Sequence, residues 1–121
     1  MTDLSWSIGL MSGTSMDGVD AALLRTDGRD RIDAGPALTL AYDDAFRQRL
    51  RSVLGGKGDV RGAERELTLR HAAAVRALLA KAGLTAAEVG LIGFHGQTIL
   101  HAPDQGRTWQ IGDGGLLASE T

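Results

Sequence analysis

The chain has no cysteine, which excludes disulfides, thiolate nucleophiles and cysteine-ligated metal while saying nothing of compartment. Aromatic residues make up only 4% and the net charge is −2, with no basic stripe. Nucleic acid is therefore not expected as the main partner. Long hydrophobic runs are also missing: no stretch approaches the length needed to cross a bilayer, and the N-terminus lacks a basic-then-apolar signal pattern. No membrane association is expected, and the cytoplasm is the default location. What is present is ordinary for a folded domain. Hydrophobic residues account for 43% and charged residues for 23% of 121, one domain's worth, in which about two-thirds of the unfolded surface can be buried.

The most informative stretch is Ile8-Gly-Leu-Met-Ser-Gly-Thr-Ser-Met-Asp-Gly-Val-Asp20. A short apolar run leads into it and another, Val19 to Leu24, leads out. Glycines at Gly13 and Gly18 are expected to allow positive φ and close approach of backbone N–H groups to a ligand. Ser12, Thr14 and Ser15 add hydroxyl donors. Strand, polar glycine turn, strand reads as a hairpin whose tip holds an anion. It reads equally as a plain hairpin turn, since Gly, Ser, Asp and Thr are common turn formers.

Residues 5–10 and 19–26 read as two antiparallel strands, and Asp27-Gly28 as the turn that reverses the chain again. A third strand near residues 37–42, after Gly35-Pro36, completes a three-stranded meander. The period then changes. Phe46, Leu50, Val53 and Leu54 fall on one helical face, with Asp43 and Asp44 at the start and Gly55 at the end. A glycine-rich connection leads to a second helix over about residues 61–82, closed by Gly83. His71 falls on or beside its apolar face and reads as a structural histidine. Thr85-Ala-Ala-Glu88 has capping-box spacing.

Gly90-Leu-Ile-Gly-Phe94 is apolar without alternation, the pattern of a strand covered on both faces. It delivers His95-Gly-Gln-Thr98 at its C-terminal end, where ligands bind in α/β sheets. Residues 108–111 suggest another short strand, and Gly112-Asp-Gly-Gly115 opens an apolar run with the look of a helix start. The chain stops inside that run, which native domains seldom do, so a truncated chain is expected.

Three common chemistries fail on the letters of the first loop. Gly13 and Gly18 have P-loop spacing, but Val19-Asp20 replaces the Lys-Ser/Thr pair that would reach the phosphates. No Gly-x-Gly-x-x-Gly occurs, and neither Ser12 nor Ser15 sits in a Gly-x-Ser-x-Gly elbow. A hydrolase assembled from one of these serines, His95 and an aspartate is conceivable by geometry, but nothing marks a hydroxyl as activated. His95, His101 and Asp104 could ligate a metal, at a spacing common by chance.

The block Met11-Ser-Gly-Thr-Ser-Met-Asp-Gly-Val-Asp20, followed by Gly93-Phe-His-Gly-Gln-Thr98 and Gln110-Ile-Gly-Asp113, resembles the N-terminal region of the anhydro-N-acetylmuramic acid kinases. These belong to the actin, Hsp70 and sugar-kinase superfamily. The resemblance covers essentially the whole chain, and its first block is specific. It implies an α/β fold: a ribonuclease H-like, actin-type ATPase domain, incomplete, with a three-stranded meander followed by alternating helices and strands. Residues 1–121 would be the N-terminal part of the first actin-like kinase domain, the rest of that domain and the second domain being absent.

The implied reaction uses ATP to phosphorylate the 6-oxygen of 1,6-anhydro-N-acetylmuramic acid while water opens the anhydro bridge, giving N-acetylmuramic acid 6-phosphate in peptidoglycan recycling. Carried over by position, Gly13, Thr14, Ser15, Met16, Asp17, Gly18, Val19 and Asp20 form the ATP-binding segment, with the first three offering N–H and O–H groups to the phosphates. Carboxylates repel phosphate, so Asp17 and Asp20 either reach it through Mg²⁺ and water or bond the loop's own amides. Asp17 is assigned to the metal and Asp20 to structure. The wider superfamily carries an aspartate two residues before the first glycine, where this chain has Met11, a departure shared by the kinase family itself.

His95, Gln97 and Thr98 would line the cleft near the anhydro amino sugar. His95 is the one plausible titrating group there, or else a backbone-bonding histidine at a strand end. No catalytic residue is expected within this chain, because the resemblance puts the water-activating aspartate beyond Thr121. The fragment alone is expected to be inactive and poorly soluble, with an unfinished sheet edge. The complete protein would pair as a homodimer if it follows its family. A different reading is a non-catalytic, actin-like module that binds a nucleotide or phosphate without chemistry.

Overall fold

A computed structural model describes residues 5–13, 15–27 and 30–121. The expected meander is there. Strands β1 (Ser5–Ser12), β2 (Gly18–Thr26) and β3 (Ile32–Ala41) pair antiparallel in sequence order. Alternation sets the faces: Ile8, Leu10 and Ser12 of β1 and Val19, Ala21 and Leu23 of β2 point inward, while Met11 and Asp20 point out. The third strand begins well before the expected residue 37. Gly35 and Pro36 lie within it, opposite the register shift between Ala22 and Leu24. Proline is tolerated there because β3 is the outer strand, and a bulge leaves a residue without a ladder partner. The expected Asp27-Gly28 turn rests partly on Gly28, which lies outside the described residues.

Helix α1 (Asp44–Ser52) starts where the acidic pair predicts. The Asp43 carboxylate accepts the Phe46 N–H at 2.8 Å, closing the first turn. That bond, followed by the Arg70 guanidinium at 2.8 Å, holds the Asp43 carboxyl below its usual range. Helix α2 (Val60–Ala82) is capped by Asp59 at one end and by Gly83 at the other. Its Leu67, Ala72, Val75 and Leu78 meet Phe46 and Leu50 of α1 and the inward face of the sheet in one core. Truncating one of these leucines to alanine costs about 2–5 kcal/mol in such settings.

Beyond α2 the chain makes the expected capping box at Thr85–Glu88 and enters β4 (Val89–Phe94). This strand runs parallel to β1 and is the sheet's other edge, in the order β3-β2-β1-β4. The expectation of cover on both faces does not hold for these residues, since Leu91 is 67% exposed. A strand missed in the sequence follows: β5 (Gln97–Ala102) forms a separate antiparallel hairpin with β6 (Arg107–Ile111). Helix α3 (Gly114–Glu120) then packs on α2. Among the described residues, no helix is long and apolar enough to cross a membrane.

Candidate functional site

Because β1 and β4 are parallel neighbours, with Leu10 paired to Phe94, their C-terminal ends emerge side by side. The β1 end carries the glycine turn and the β4 end carries His95-Gly-Gln. This is the edge at which α/β sheets bind ligands.

The turn is closed by the Met16 N–H, which donates to the Gly13 carbonyl at 3.0 Å. The positive φ expected at Gly13 or Gly18 falls instead on Met16, at 58°. A left-handed conformation is unfavourable for a residue with a Cβ, and here the buried Met16 side chain, 6% exposed, anchors it in the core. Gly18 is required for a different reason. A Cβ there would collide with the Leu40 carbonyl of β3, so the glycine lets the strands close at the base of the loop. Over Gly13 the space is open, and an added Cβ would meet only Ser15 Oγ, at 3.9 Å.

Within the expected ATP-binding segment, Ser15 and Asp17 are exposed, Met16 and Val19 are buried, and Thr14 lies outside the described residues. Asp17 faces solvent and forms an ion pair with Arg47 of α1 at 3.2 Å, and Arg47 also lies 3.7 Å from Asp44. Asp20 accepts the Thr39 hydroxyl at 2.6 Å across the β2–β3 pair, on the outer face of the sheet.

Beneath the turn is a buried polar network. Ser12, expected as a ligand-facing hydroxyl, is instead 3% exposed. Its Oγ donates to Gln97 Oε1 at 2.5 Å and lies 2.8 Å from the Tyr42 hydroxyl. A serine hydroxyl has a single proton, so with that proton on Gln97 the tyrosine donates to Ser12. Burial pushes the Tyr42 phenol up to about 12, against the lowering effect of the Ser12 bond, so it keeps its proton at neutral pH. Gln97 is wholly buried, and its Nε2 donates to the Gly13 carbonyl at 3.1 Å. Among the described residues, Ser12 thus has a tyrosine and a glutamine as partners and no histidine.

His95 is exposed, and Thr98 is half-buried. Gln110 of β6 donates to the His95 carbonyl at 2.9 Å, with its amide 3.4 Å from either ring nitrogen. The Gly112 and Asp113 N–H groups are held by Glu64 and Thr68 of α2 at 2.9 and 3.0 Å. The three stretches singled out in the sequence therefore meet: the glycine turn touches Gln97, and His95 touches Gln110. Among the described residues, no three histidine or acidic side chains gather to hold a metal, so His95, His101 and Asp104 do not form such a site.

Sequence reasoning missed Tyr42 and Arg47. A signal existed for the second. An arginine in the first turn of a helix opposes the helix dipole, so it calls for nearby carboxylates, which Asp17 and Asp44 supply.

Sheet, helices and convergent loops define a mixed α/β protein with its candidate site at the carboxyl ends of a parallel strand pair. The sequence profile of the anhydro-N-acetylmuramic acid kinases matches residues 5–121, and the chain belongs to that family. It is 61% identical over 114 residues to the anhydro-N-acetylmuramic acid kinase of Paramagnetospirillum magneticum, with 94% of this chain and 32% of the relative aligned. The Rhizobium etli enzyme of that name is 54% identical, with 95% and 34% covered. The Rhodospirillum rubrum enzyme is 52% identical, with 93% and 31% covered. The chain spans about a third of the length of the curated relatives it matches.

Proposed function

We propose that this chain is the N-terminal part of an ATP-dependent kinase that opens 1,6-anhydro-N-acetylmuramic acid and phosphorylates it. In the overall reaction the terminal phosphoryl group of ATP passes to the sugar's 6-oxygen, water adds at the anomeric carbon, and the bond between that carbon and the 6-oxygen breaks. The products are ADP and N-acetylmuramic acid 6-phosphate. The observation that carries the reading is the meeting of the three family-matched stretches at one sheet edge.

The residues suit the phosphates of a nucleotide. The space over Gly13 is open, Ser15 is exposed, and the Gly13 carbonyl is turned into the protein, away from phosphate oxygens it would repel. Gly13, Thr14 and Ser15 would hold the phosphates through N–H and O–H donors, with Met16, Gly18 and Val19 shaping the segment from below. Hydrogen bonds to charged partners contribute roughly 1.5–3 kcal/mol each, so a few suffice to position a polyphosphate. Asp17 would hold Mg²⁺ through water, and when bound the ion supplies charge neutralisation at the phosphates. Asp20, tied to Thr39, supports the strand pair. His95 and Thr98 would face the sugar. The general base belongs to the part of the relatives that this chain does not span. A positioned base contributes about 10²–10⁴-fold in rate, so this chain alone would be inactive. An actin-type ATPase fold, a cytoplasmic location and homodimerisation of the complete protein follow from the same reading.

The test is to incubate the full-length protein with ATP, Mg²⁺ and the anhydro sugar in ¹⁸O-water. Stoichiometric ADP and sugar 6-phosphate labelled at the anomeric oxygen are expected. Nucleotide binding without sugar product would replace the proposal with the non-catalytic module.

A further inference from the structure

The amide of Gln97 has the residue type of a sugar-hydroxyl contact, yet none of it reaches solvent. A buried amide must find partners or carry a desolvation cost, and those of Gln97 cluster around the end of β1. Its Oε1 takes the Ser12 proton, and its Nε2 donates to the Gly13 carbonyl and lies 3.5 Å from its neighbour's carbonyl at Thr98. Two carbonyl acceptors on one side fix which end of the amide is nitrogen. The Gly13 oxygen thereby receives two donors, Gln97 Nε2 and the Met16 N–H, which use both of its lone pairs. The far end of the loop is held in parallel, because the Tyr42 N–H donates to the Asp17 carbonyl at 2.8 Å while its hydroxyl reaches Ser12.

We propose that Gln97 is a positioning residue for the nucleotide loop: with Ser12 and Tyr42 it forms a buried clasp that fixes Gly13 and Asp17, the two ends of the loop, before any ligand arrives, and it does not touch the sugar. Tyr42 donates to Ser12, Ser12 to Gln97, and Gln97 to Gly13, so each donor in the series is spent on the next. Tyr42 keeps its proton well above neutrality and the series holds its direction. A loop ordered in advance loses less conformational freedom when it binds. The clasp therefore acts on nucleotide affinity. The assignment of its ligand as a nucleotide rests on the proposed kinase function; the clasp itself rests on the geometry.

The experiment compares Gln97→Ala, Gln97→Glu and Ser12→Ala with wild type in the full-length protein, by steady-state kinetics and by amide hydrogen exchange of residues 13–17 without ligands. Each variant should raise the ATP KM by about tenfold or more, leave the sugar KM unchanged, and speed exchange in the loop. The glutamate keeps the size of Gln97; ionised it has no proton for the Gly13 carbonyl and protonated it can supply one, so any rescue should be confined to low pH and lost as pH rises. A raised sugar KM with ATP KM and loop exchange unchanged would overturn the proposal and return Gln97 to the sugar. Rescue by Gln97→Glu that persists at alkaline pH would overturn the donor assignment. If Gln97→Ala does not fold, Gln97→Glu and Ser12→Ala decide. Should the wild type transfer no phosphoryl group, the kinase reading falls, while loop exchange still tests the clasp.

Discussion

Gln97 and Gly13 are separated by 84 positions in the chain and joined by one part-buried hydrogen bond of 3.1 Å. The pairing of Leu10 with Phe94 makes this possible, because it brings the two strand ends level before either loop begins. The bond links the glycine turn to the β5–β6 hairpin, beside the Ser12–Gln97 bond that ties the end of β1 to the same side chain. Both segments owe their position to the parallel β1–β4 pair.

The base of the loop is sensitive to a single methyl group. At Gly18 a Cβ would run into the Leu40 carbonyl and lie 3.0 Å from Ala41 Cα, both backbone atoms with no rotamer to move aside. Gly18→Ala should destabilise the protein by about 1–3 kcal/mol, the usual range for forcing a group into packed space. Denaturant titration would read this as a lower midpoint with unchanged slope. An unchanged midpoint would mean that β2 and β3 separate at no cost.

Asp17 combines two demands, a salt bridge to Arg47 and the proposed water-mediated hold on Mg²⁺. Asp17→Asn should raise the Mg²⁺ concentration needed for half-maximal turnover of the full-length enzyme severalfold. Stability should hardly change, because exposed ion pairs contribute about 0–1 kcal/mol. Arg47→Gln separates the roles by removing the partner and leaving the carboxylate. An Asp17→Asn enzyme with wild-type Mg²⁺ dependence would exclude the metal role.

Legibility in the sequence followed local periodicity and failed where a tertiary contact decided. The meander, α1 and α2 were readable because Ile8, Leu10, Val19 and Leu23 alternate and Phe46 and Leu50 recur at helical spacing, patterns imposed by one buried face. Gly35-Pro36 suggested a break, yet β3 runs through it because an edge strand can spare a donor. The β5 strand was hidden because Gln97 and Thr98 resemble polar residues at the end of a strand, and only its pairing with β6 makes them the start of another. The loop's chemistry was visible in its residue types. Its geometry was not: the strained residue is Met16, and burial rather than backbone propensity holds it.

His71 should make stability depend on pH near neutrality. Its Nδ1 donates to the Leu67 carbonyl at 2.8 Å, while Nε2 is buried without a partner beside the Phe94 ring. Burial, opposed by the Leu67 bond, lowers its pKa. The unfolded chain therefore takes up a proton first as pH falls through about 6.5, and stability declines below that value. Melting temperatures of wild type and His71→Leu between pH 7 and pH 5 should diverge in slope, with the variant flatter. Parallel slopes would assign the dependence elsewhere.

Tyr42 offers the complementary test at high pH. Its hydroxyl supplies the first donor to Ser12, and its ring packs edge-on against Phe46 at 4.8 Å. Tyr42→Phe keeps the ring and removes the donor, so it should cost about 0.5–1.5 kcal/mol, the usual net worth of a hydrogen bond. The phenol ionises near 10 in the unfolded chain but at about 12 in the folded protein, chiefly through burial. Above pH 10 the unfolded state gains by releasing a proton that the folded state retains, so wild-type stability should fall there. Tyr42→Phe should lack that alkaline loss. Unfolding free energies at pH 8 and pH 10.5 would show the gap between the two proteins narrowing as pH rises. A constant gap would mean that the hydroxyl titrates normally and is not buried against Ser12.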